Sequence, residues 1–598
     1  MSVFFGKVNI AIVFLPVVFL PGFVGRLFRE FGIVVAGAVL ISAFVSLTLT
    51  PVLNVKLTSS NHKHSWFYRV TEPFFAGMES GYEKWLNRFL NVRWVAFIII
   101  AVSIGSAAWI GLTIQQELAP QEDRNQLRIN PTAAEGTSYD YMDEYVEKLT
   151  RFVLDSVPEL RTAISNTGRG GSPNSGSVKM NLWDKSLRTR SQEEIAEYIS
   201  ANLPRFSEGR AFVSQEPTIA VNRRSGQPVQ FVIQNNDFEK LKAAIPKMEE
   251  AAKNSGVLQN VDVNLKFNKP ELLVKINRLK ATQLGVSVQD ISQTLQLAYS
   301  NLRFGYFMKE GKQYQVMGQV TRVNRDDPDD LKKLYVRTAS NELISIDNVI
   351  TLEESVTPPS LYHYNRYKSA TLSATPVAGK TIGDGIETMK KIAAAELDDT
   401  FSTDLSGPSR DFAESSGNTS FAFILALVLI YLVLAAQFES FIDPFIIMFT
   451  VPLAICGAFL CLYIFDQTFN IFSQIGMIML IGLVTKNGIL IVEFANQKRL
   501  EGLNKFEAVV KASRLRLRPI LMTSLAMATG SLPLALSLGQ SSSSRMPLGI
   551  VIVGGVMFSL VLTLFVVPAM FTYLSRQKKA HAQMEEQMLL AETKSLSV

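Results

Sequence analysis

The sequence predicts an α-helical polytopic membrane protein carrying one large α+β insert outside the membrane. Three observations carry that reading. Apolar residues make up 47% of the 598 residues, yet they gather in long runs at both ends while the middle reads as an ordinary soluble protein. Most runs reach the roughly 20 residues that a helix needs to cross a bilayer. Basic residues concentrate in alternate connecting segments, as the positive-inside bias requires.

Eight spans follow. The first covers roughly Val8–Pro21 and is short; the second covers roughly Phe31–Leu53 and the third Trp94–Ile114. Five more lie after the insert, near 419–437, 444–465, 471–494, 519–538 and 547–574. The loop Lys498–Arg518 carries seven basic residues, among them Arg514, Arg516 and Arg518. The loop after Leu53 carries Lys56, Lys63 and Arg69, and the tail carries Arg576, Lys578 and Lys579. One alternating path puts all three on the cytoplasmic side and the insert, about 115–418, on the other. Between the second and third spans, Phe67, Phe74, Phe75, Met78, Tyr82, Trp85 and Phe89 recur at helical spacing, which predicts an amphipathic helix on the inner membrane surface.

Within the insert, Leu127 and Ile129 read as a strand, and Met142, Tyr145, Val146, Leu149, Phe152 and Val153 as a helical stripe. Strands near Arg161–Ser165 and Val178–Leu182 follow, then a stripe with Ile195, Tyr198, Ile199 and Leu203, then the strand Ala211–Val213. That order is β-α-β-β-α-β, a ferredoxin-like unit. A second unit begins at Val229–Ile233, breaks off near residue 270, resumes near 356 and closes with the helix of Ile382, Ile386, Met389 and Ile392. The interruption, with strands at Gln313–Val320 and Leu334–Arg337, forms a separate subdomain. The predicted divisions are 1–53 and 93–114 (spans), 54–92 (cytoplasmic loop with the amphipathic helix), 115–224 (first unit), 225–269 with 356–418 (second unit), 270–355 (interrupting subdomain), 419–574 (five spans) and 575–598 (tail).

The chain also repeats. At an offset near 517, Gly32, Gly37, Ser42 and Pro51 fall on Gly549, Gly554, Ser559 and Pro568. The first two spans are then the end of one repeat and the remainder a complete second one, so that about the first 425 residues of an intact protein of about twelve spans would precede Met1.

Composition narrows the function. A net charge of +6 and a pI near 9.0 reflect basic loops and not a nucleic-acid surface. The two cysteines, Cys456 and Cys461, lie in one apolar run, and the four histidines are scattered, so no disulfide frame or metal site is expected. No nucleophile–base constellation appears, and the chain reads as a transporter and not an enzyme. One feature stands out: Lys486 lies mid-span, where a charge costs at least about 2.5–3.5 kcal/mol. It must pair, sit neutral or face water, and the acidic residues of the spans lie near their ends. Asn487 beside it is a hydrogen-bond candidate. Gly476, Gly482 and Gly488 read as sites of close helix packing.

The stretches FLPVVFLPGFVGRLFREFGIVVAGAVLISAFVSLTLTP (Phe14–Pro51), GLVTKNGILIVEFA (Gly482–Ala495) and RLRLRPILMTSLA (Arg514–Ala526) resemble the resistance–nodulation–division (RND) efflux permeases of the hydrophobe/amphiphile, or acriflavine-resistance, type. The resemblance implies a homotrimeric proton antiporter in the inner membrane of a Gram-negative bacterium, driven by the proton gradient without a cofactor and working with a periplasmic adaptor protein, an outer-membrane channel and membrane lipid. It makes the two units periplasmic porter subdomains and the interruption a docking subdomain. It assigns Lys486, Thr523, Arg516 and Asn487 to a proton relay whose aspartates belong to a span that would lie upstream of Met1, on a separately encoded N-terminal half or lost. The alternatives are a truncated, non-functional fragment and an accessory protein of export or lipid transfer sharing the fold. The loop Asn166–Leu182 lacks the phenylalanines of multidrug members; Gly168, Arg169, Gly170, Gly171 and Lys179 are its candidates for lining the substrate cleft.

Overall fold

The structure is a computed structural model. It describes residues 22–57, 66–168, 172–216, 226–300, 302–358, 360–377, 379–538 and 543–575, with Val18 and Thr218 besides. The expected span Val8–Pro21, the pair His62 and His64, and Arg169, Gly170 and Gly171 lie outside these residues.

The chain is mostly helical. Helix α1 (Gly22–Leu57) is followed by α2 (Trp66–Asn91), at the place of the expected amphipathic helix, and α3 (Val95–Thr113). The first part of the insert runs β1 (Gln126–Thr132), α4 (Tyr139–Ser156), β2 (Leu160–Thr167), β3 (Gly176–Leu182), α5 (Gln192–Asn202) and β4 (Arg210–Gln215). Its four strands form one antiparallel sheet in the order β2-β3-β1-β4. Alternation decides the faces: every second residue of β1 and β3 is buried, so Leu127, Ile129, Val178 and Met180 meet the helices. The predicted stripe of α4 faces them through Met142, Tyr145, Val146, Leu149 and Val153, and Ser138 caps its first turn.

The second part runs β5 (Val229–Gln234), α6 (Phe238–Lys253) and β6 (Leu258–Val263). An excursion follows: β7 (Lys269–Ile276), α7 (Arg278–Gln283), α8 (Val288–Tyr299), the hairpin β8 (Leu302–Lys309) and β9 (Lys312–Gly318), the pair β10 (Tyr335–Arg337) and β11 (Leu343–Ser345), and β12 (Ile350–Thr357). Strand β7 pairs with β12 from Lys269↔Thr357 to Ile276↔Ile350, so the excursion leaves and returns through one antiparallel ribbon, at the two points where the sequence pattern breaks. The chain resumes with β13 (Tyr362–Tyr364), β14 (Tyr367–Pro376), α9 (Ile382–Glu396) and β15 (Ser402–Leu405); their sheet has the order β13-β14-β5-β15, with β6 also on β14.

The second membrane block comprises α10 (Gly407–Phe438), α11 (Ile442–Met448), α12 (Thr450–Ile464), α13 (Ile471–Leu500), α14 (Lys505–Ala535) and α15 (Met546–Leu574). Six helices among the described residues are long and apolar enough to cross a membrane, within α1, α3, α10, α11 with α12, α13 and α15. Helix α14, expected as a span over 519–538, is helical to Ala535 but is not among the six, because Thr, Ser, Gly and Pro dilute its apolar run.

One expectation needs correction, and one expected span carries an internal break. The basic loop Lys498–Arg518 is mostly helix: Gly502 (φ +94°) ends the turn after α13, Asn504 caps α14, and no proline interrupts before Pro519. The span expected over 444–465 is one candidate crossing, Ile442–Ile464, whose helix is interrupted at Phe449. Pro452 supplies the reason, since it offers no N–H to the carbonyl four residues back, on Met448, where α11 ends.

Close packing fixes the block. A Cβ on Gly554 would lie 2.4 Å from Cys461 Sγ, and one on Gly457 would lie 2.4 Å from Phe558 Cβ, so α12 and α15 approach as only glycine allows. Gly476 and Gly488 serve likewise against Val551 and Ile447. The repeat is visible too: α1 and α15 end at the equivalent residues Leu57 and Leu574, and each holds a proline near that end, Pro51 and Pro568.

Candidate functional site

Lys486 lies midway along α13, half-buried, and it is not a free charge: the structure gives it an interaction. The next residue, Asn487, is 1% exposed and donates its Nδ2 to Ser524 Oγ on α14 at 3.2 Å. Thr523 precedes that serine. This bond therefore joins the two helices beside both Lys486 and Thr523. Asn487 Oδ1 is buried without a hydrogen-bond partner among the described residues, so an acceptor faces the interior unfilled. Thr523 itself donates back to the Ile520 carbonyl at 3.2 Å, the ordinary use of a helical threonine. Ser524 was not singled out in the sequence. Its only signal there is its place next to Thr523.

Arg516 sits about two turns earlier on α14, with its guanidinium 4.3 Å from the centroid of the Phe494 ring. Its Nε is buried and has no hydrogen-bond partner among the described residues. The structure thus ties Asn487 and Ser524 together and places Arg516 against the inner part of α13.

Three further arrangements escaped the sequence pattern. Near the start of α14, α2 docks on it through a ladder: Arg518 holds Glu72 by two bonds of 3.1 Å and Glu79 at 3.4 Å, and Arg514 holds Glu83 at 2.8 Å. Tyr82 is buried and donates its hydroxyl to the Leu564 carbonyl at 2.6 Å. That carbonyl lacks its helical donor, because the residue four positions on is Pro568. The expected single apolar face of α2 is consequently divided: Tyr82 packs on α15, while Phe74 and Trp85 are 69% and 64% exposed.

At the opposite end of the block, the linker after α3 is clamped by the loops that start α13 and α15. Glu117 accepts a bond from the Thr468 hydroxyl, its N–H donates to the Phe469 carbonyl at 3.2 Å, and Leu118 accepts from Ile471 N at 3.2 Å. Thr468 in turn accepts from Asn470, whose side chain caps α13. Burial holds the Glu117 carboxyl above its ordinary range, opposed by the Thr468 hydroxyl. Glu122, 4% exposed, accepts from Ser544 at 3.0 Å just before α15.

Between the two sheets of the insert lies a cleft of about 900 Å³. The first sheet lines it with Thr132–Glu135 and Gly209–Phe212, and the second with Glu249, Lys253, Asp262 and Lys266 among others. Gly168 and Lys179 do not line it: Gly168 packs beside Tyr139, and Lys179 sits in mid-strand opposite Arg128 and Ile164.

A family model described as the AcrB/AcrD/AcrF family matches residues 1–575. The chain belongs to that family. It is an RND-type permease sequence, and its apolar helices mark a membrane protein. An uncharacterized transporter of Haemophilus influenzae is 31% identical to this AcrB-family chain over 575 residues, covering 95% of the chain and 55% of that protein. The chain thus spans about half the length of the curated relative it matches.

Proposed function

We propose that this chain is a permease component of a proton-driven efflux pump of the RND type, exporting small amphiphilic compounds from the inner membrane and periplasm of a Gram-negative cell through a tripartite complex. The observation that carries the proposal is the polar junction in the middle of the spans. A lysine on α13 stands next to an asparagine that bridges to α14, with an unfilled buried acceptor beside it. Buried polar groups are costly in a membrane, and their retention marks function. In this reading Lys486 alternates between paired and released states as carboxylates of the pump take up protons. Asn487 and Ser524 pass the change to α14, Thr523 offers a hydroxyl to the same path, and Arg516 guards its cytoplasmic end. Breaking a buried charge pair is strongly destabilising, so the helices repack when one charge is lost.

The strand order β2-β3-β1-β4 supports the first unit as a ferredoxin-like porter subdomain, and the ribbon-bounded excursion supports a docking subdomain that meets an adaptor and an outer-membrane channel in a homotrimer. The cleft of about 900 Å³ is within the range of small-molecule sites. Its lining alternates acids with lysines, which suits amphiphiles that carry a polar or charged head. The test is transport by the intact pump in vesicles under an imposed pH gradient. Lys486→Ala is expected to abolish gradient-driven flux while the protein remains folded. Unchanged coupled efflux by that variant would remove Lys486 from the relay.

A further inference from the structure

Helix α2 segregates its charges. Glu72, Glu79 and Glu83 turn towards α14 and are held by Arg514 and Arg518. Lys84 and Arg88 lie on the exposed side, and no described carboxylate comes within ion-pair distance of either. The turn after α2 adds Arg93, also exposed and also without an ion pair among the described residues. Its guanidinium lies 4.4 Å from the centroid of the Tyr573 ring, at the end of α15. Two residues further, Ser575 Oγ accepts a bond from Arg499 Nη1 at 2.8 Å. The last turn of α15 therefore gathers two guanidiniums from different elements. Lys505, the first residue of α14, completes the group: burial first, then Arg499 and Arg93, push its ammonium below its ordinary value. Glu501, close in sequence, is occupied by Lys498 at 2.7 Å.

Arg93 and Arg499 thus reach the last turn of α15 from two elements, and with Lys505 near enough to feel both, the like charges repel. An anion placed among them relieves that repulsion. The apolar surroundings say where the anion comes from. Trp94 and Phe97, 57% and 47% exposed, stand at the start of span α3, and Phe97 meets the same Tyr573 ring at 5.3 Å. Trp85 is exposed on the outer side of α2 with Arg88 over it at 5.7 Å. Aromatic rings at the end of a span, mixed with basic residues, are the mark of the headgroup layer.

We propose that Arg93, Arg499 and Lys505 form a binding site for the phosphate headgroup of an anionic phospholipid, with Trp94 and Phe97 flanking the start of its acyl chains. The occupant is a lipid and not a soluble phosphate because the cationic group opens beside the mouth of an apolar span. Bound there, one headgroup links the inner ends of α13, α14 and α15 and the turn between α2 and α3. The inference requires only that these helices lie in a membrane, and it stands whether or not the chain transports.

The test titrates the intact detergent-purified protein with dioleoylphosphatidylglycerol, dioleoylphosphatidylcholine and inorganic phosphate, reading adducts by native mass spectrometry and the thermal midpoint in parallel. Phosphatidylglycerol is expected to bind and stabilise, phosphatidylcholine to bind at least tenfold more weakly, and phosphate at matched concentration to do neither. Arg93→Gln with Lys505→Gln is expected to weaken phosphatidylglycerol binding about tenfold to thirtyfold, from roughly tenfold or less per basic residue at a membrane surface. Phosphatidylcholine binding should not change. Equal binding of the two lipids to the unmodified protein overturns the proposal without recourse to any variant. So does undiminished phosphatidylglycerol binding by the double variant, or equal stabilisation by inorganic phosphate, which would mark a soluble-anion site.

Discussion

The bond between Tyr82 and α15 can be weighed from its surroundings. In an unbroken helix the Leu564 carbonyl would accept from the N–H of residue 568, but Pro568 has none. Tyr82 Oη stands in for it at 2.6 Å, reaching across from α2. Both ends are buried, so Tyr82→Phe strands a carbonyl where water does not replace the donor. The cost is about 1–3 kcal/mol, the penalty of an unsatisfied buried group and not the smaller net value of an average hydrogen bond. The ring remains packed on Phe565 at 5.7 Å, so little apolar contact is lost. Pro568→Ala returns an N–H to the site, and Leu564 then has a donor within its own helix. In that background Tyr82→Phe should cost close to nothing, which makes the two positions coupled by about 1–2 kcal/mol in a double-mutant cycle. Unfolding of the purified protein in mixed micelles, titrated with a denaturing detergent, measures all four corners. An equal cost of Tyr82→Phe in both backgrounds would refute the assignment of the tyrosine to the proline's carbonyl.

Three more outcomes are expected. A Cβ on Gly555 would stand 2.3 and 2.8 Å from the δ carbons of Leu480, so Gly555→Ala should cost about 1–3 kcal/mol in the same assay, and much less when Leu480→Ala has emptied the space; cost without relief would mean that the helix backbones, not that side chain, are in contact. Arg518→Gln leaves Glu72 and Glu79 without their shared guanidinium; because these groups are a fifth to a third exposed, the loss is about 1 kcal/mol, seen chiefly as faster proteolysis within α2, and unchanged proteolysis would show that the ladder does not hold the helix. Arg190 holds the Glu159 carboxyl below its ordinary range by hydrogen bonds of 2.7 and 2.6 Å. A carboxyl depressed on folding contributes its stability above the unfolded value, near 4.3, and loses it as pH falls through that region towards the folded value. The protection of the amides over Leu160–Thr167, taken relative to their intrinsic exchange at each pH, should therefore fall on acidification below about pH 5, and Glu159→Gln should flatten that dependence; an acid response unchanged in the variant would assign it to other groups.

Periodicity reveals what each element buries, and this is why the insert was legible. Strands β1 and β3 alternate, α4 repeats at helical spacing, and the second pattern breaks near 270 and resumes near 356, where β7 and β12 leave and rejoin the sheet. The spans were legible by length and composition. The errors came where a local signal was read as a loop or passed over. Seven basic residues look like a connecting segment, but Lys505–Arg518 contains no helix breaker, and the partners of Arg514, Arg516 and Arg518 sit on other helices. Pro452 breaks the helix inside an apolar run without ending the span, which stays one candidate crossing over Ile442–Ile464. Contacts between elements left no trace in any pattern. Nothing in the sequence near Pro568 names Tyr82, and nothing near Asn487 names Ser524.

Those contacts gather on α13. At its outer end Asn470 caps the helix and holds Thr468, which holds Glu117 of the linker into the insert. At mid-height Asn487 bonds Ser524 of α14. At the inner end Arg499 bonds Ser575 at the foot of α15. A 30-residue helix is about 45 Å long, enough to run from one face of the bilayer to the other. Each tie is polar and engages a different partner, while the sides of the helix between them are packed by apolar groups and by Gly476 and Gly488. Apolar packing slides at small cost for a small shift, but a hydrogen bond of 2.8–3.2 Å is lost within an ångström. A shift of α13 along its axis must therefore either carry α14, α15 and the linker with it or break one of three named bonds. The outer tie is the one that leads to the insert, through Glu117 and the chain that continues into β1. Under the proposed function, a change of charge at Lys486 would reach the insert along that route.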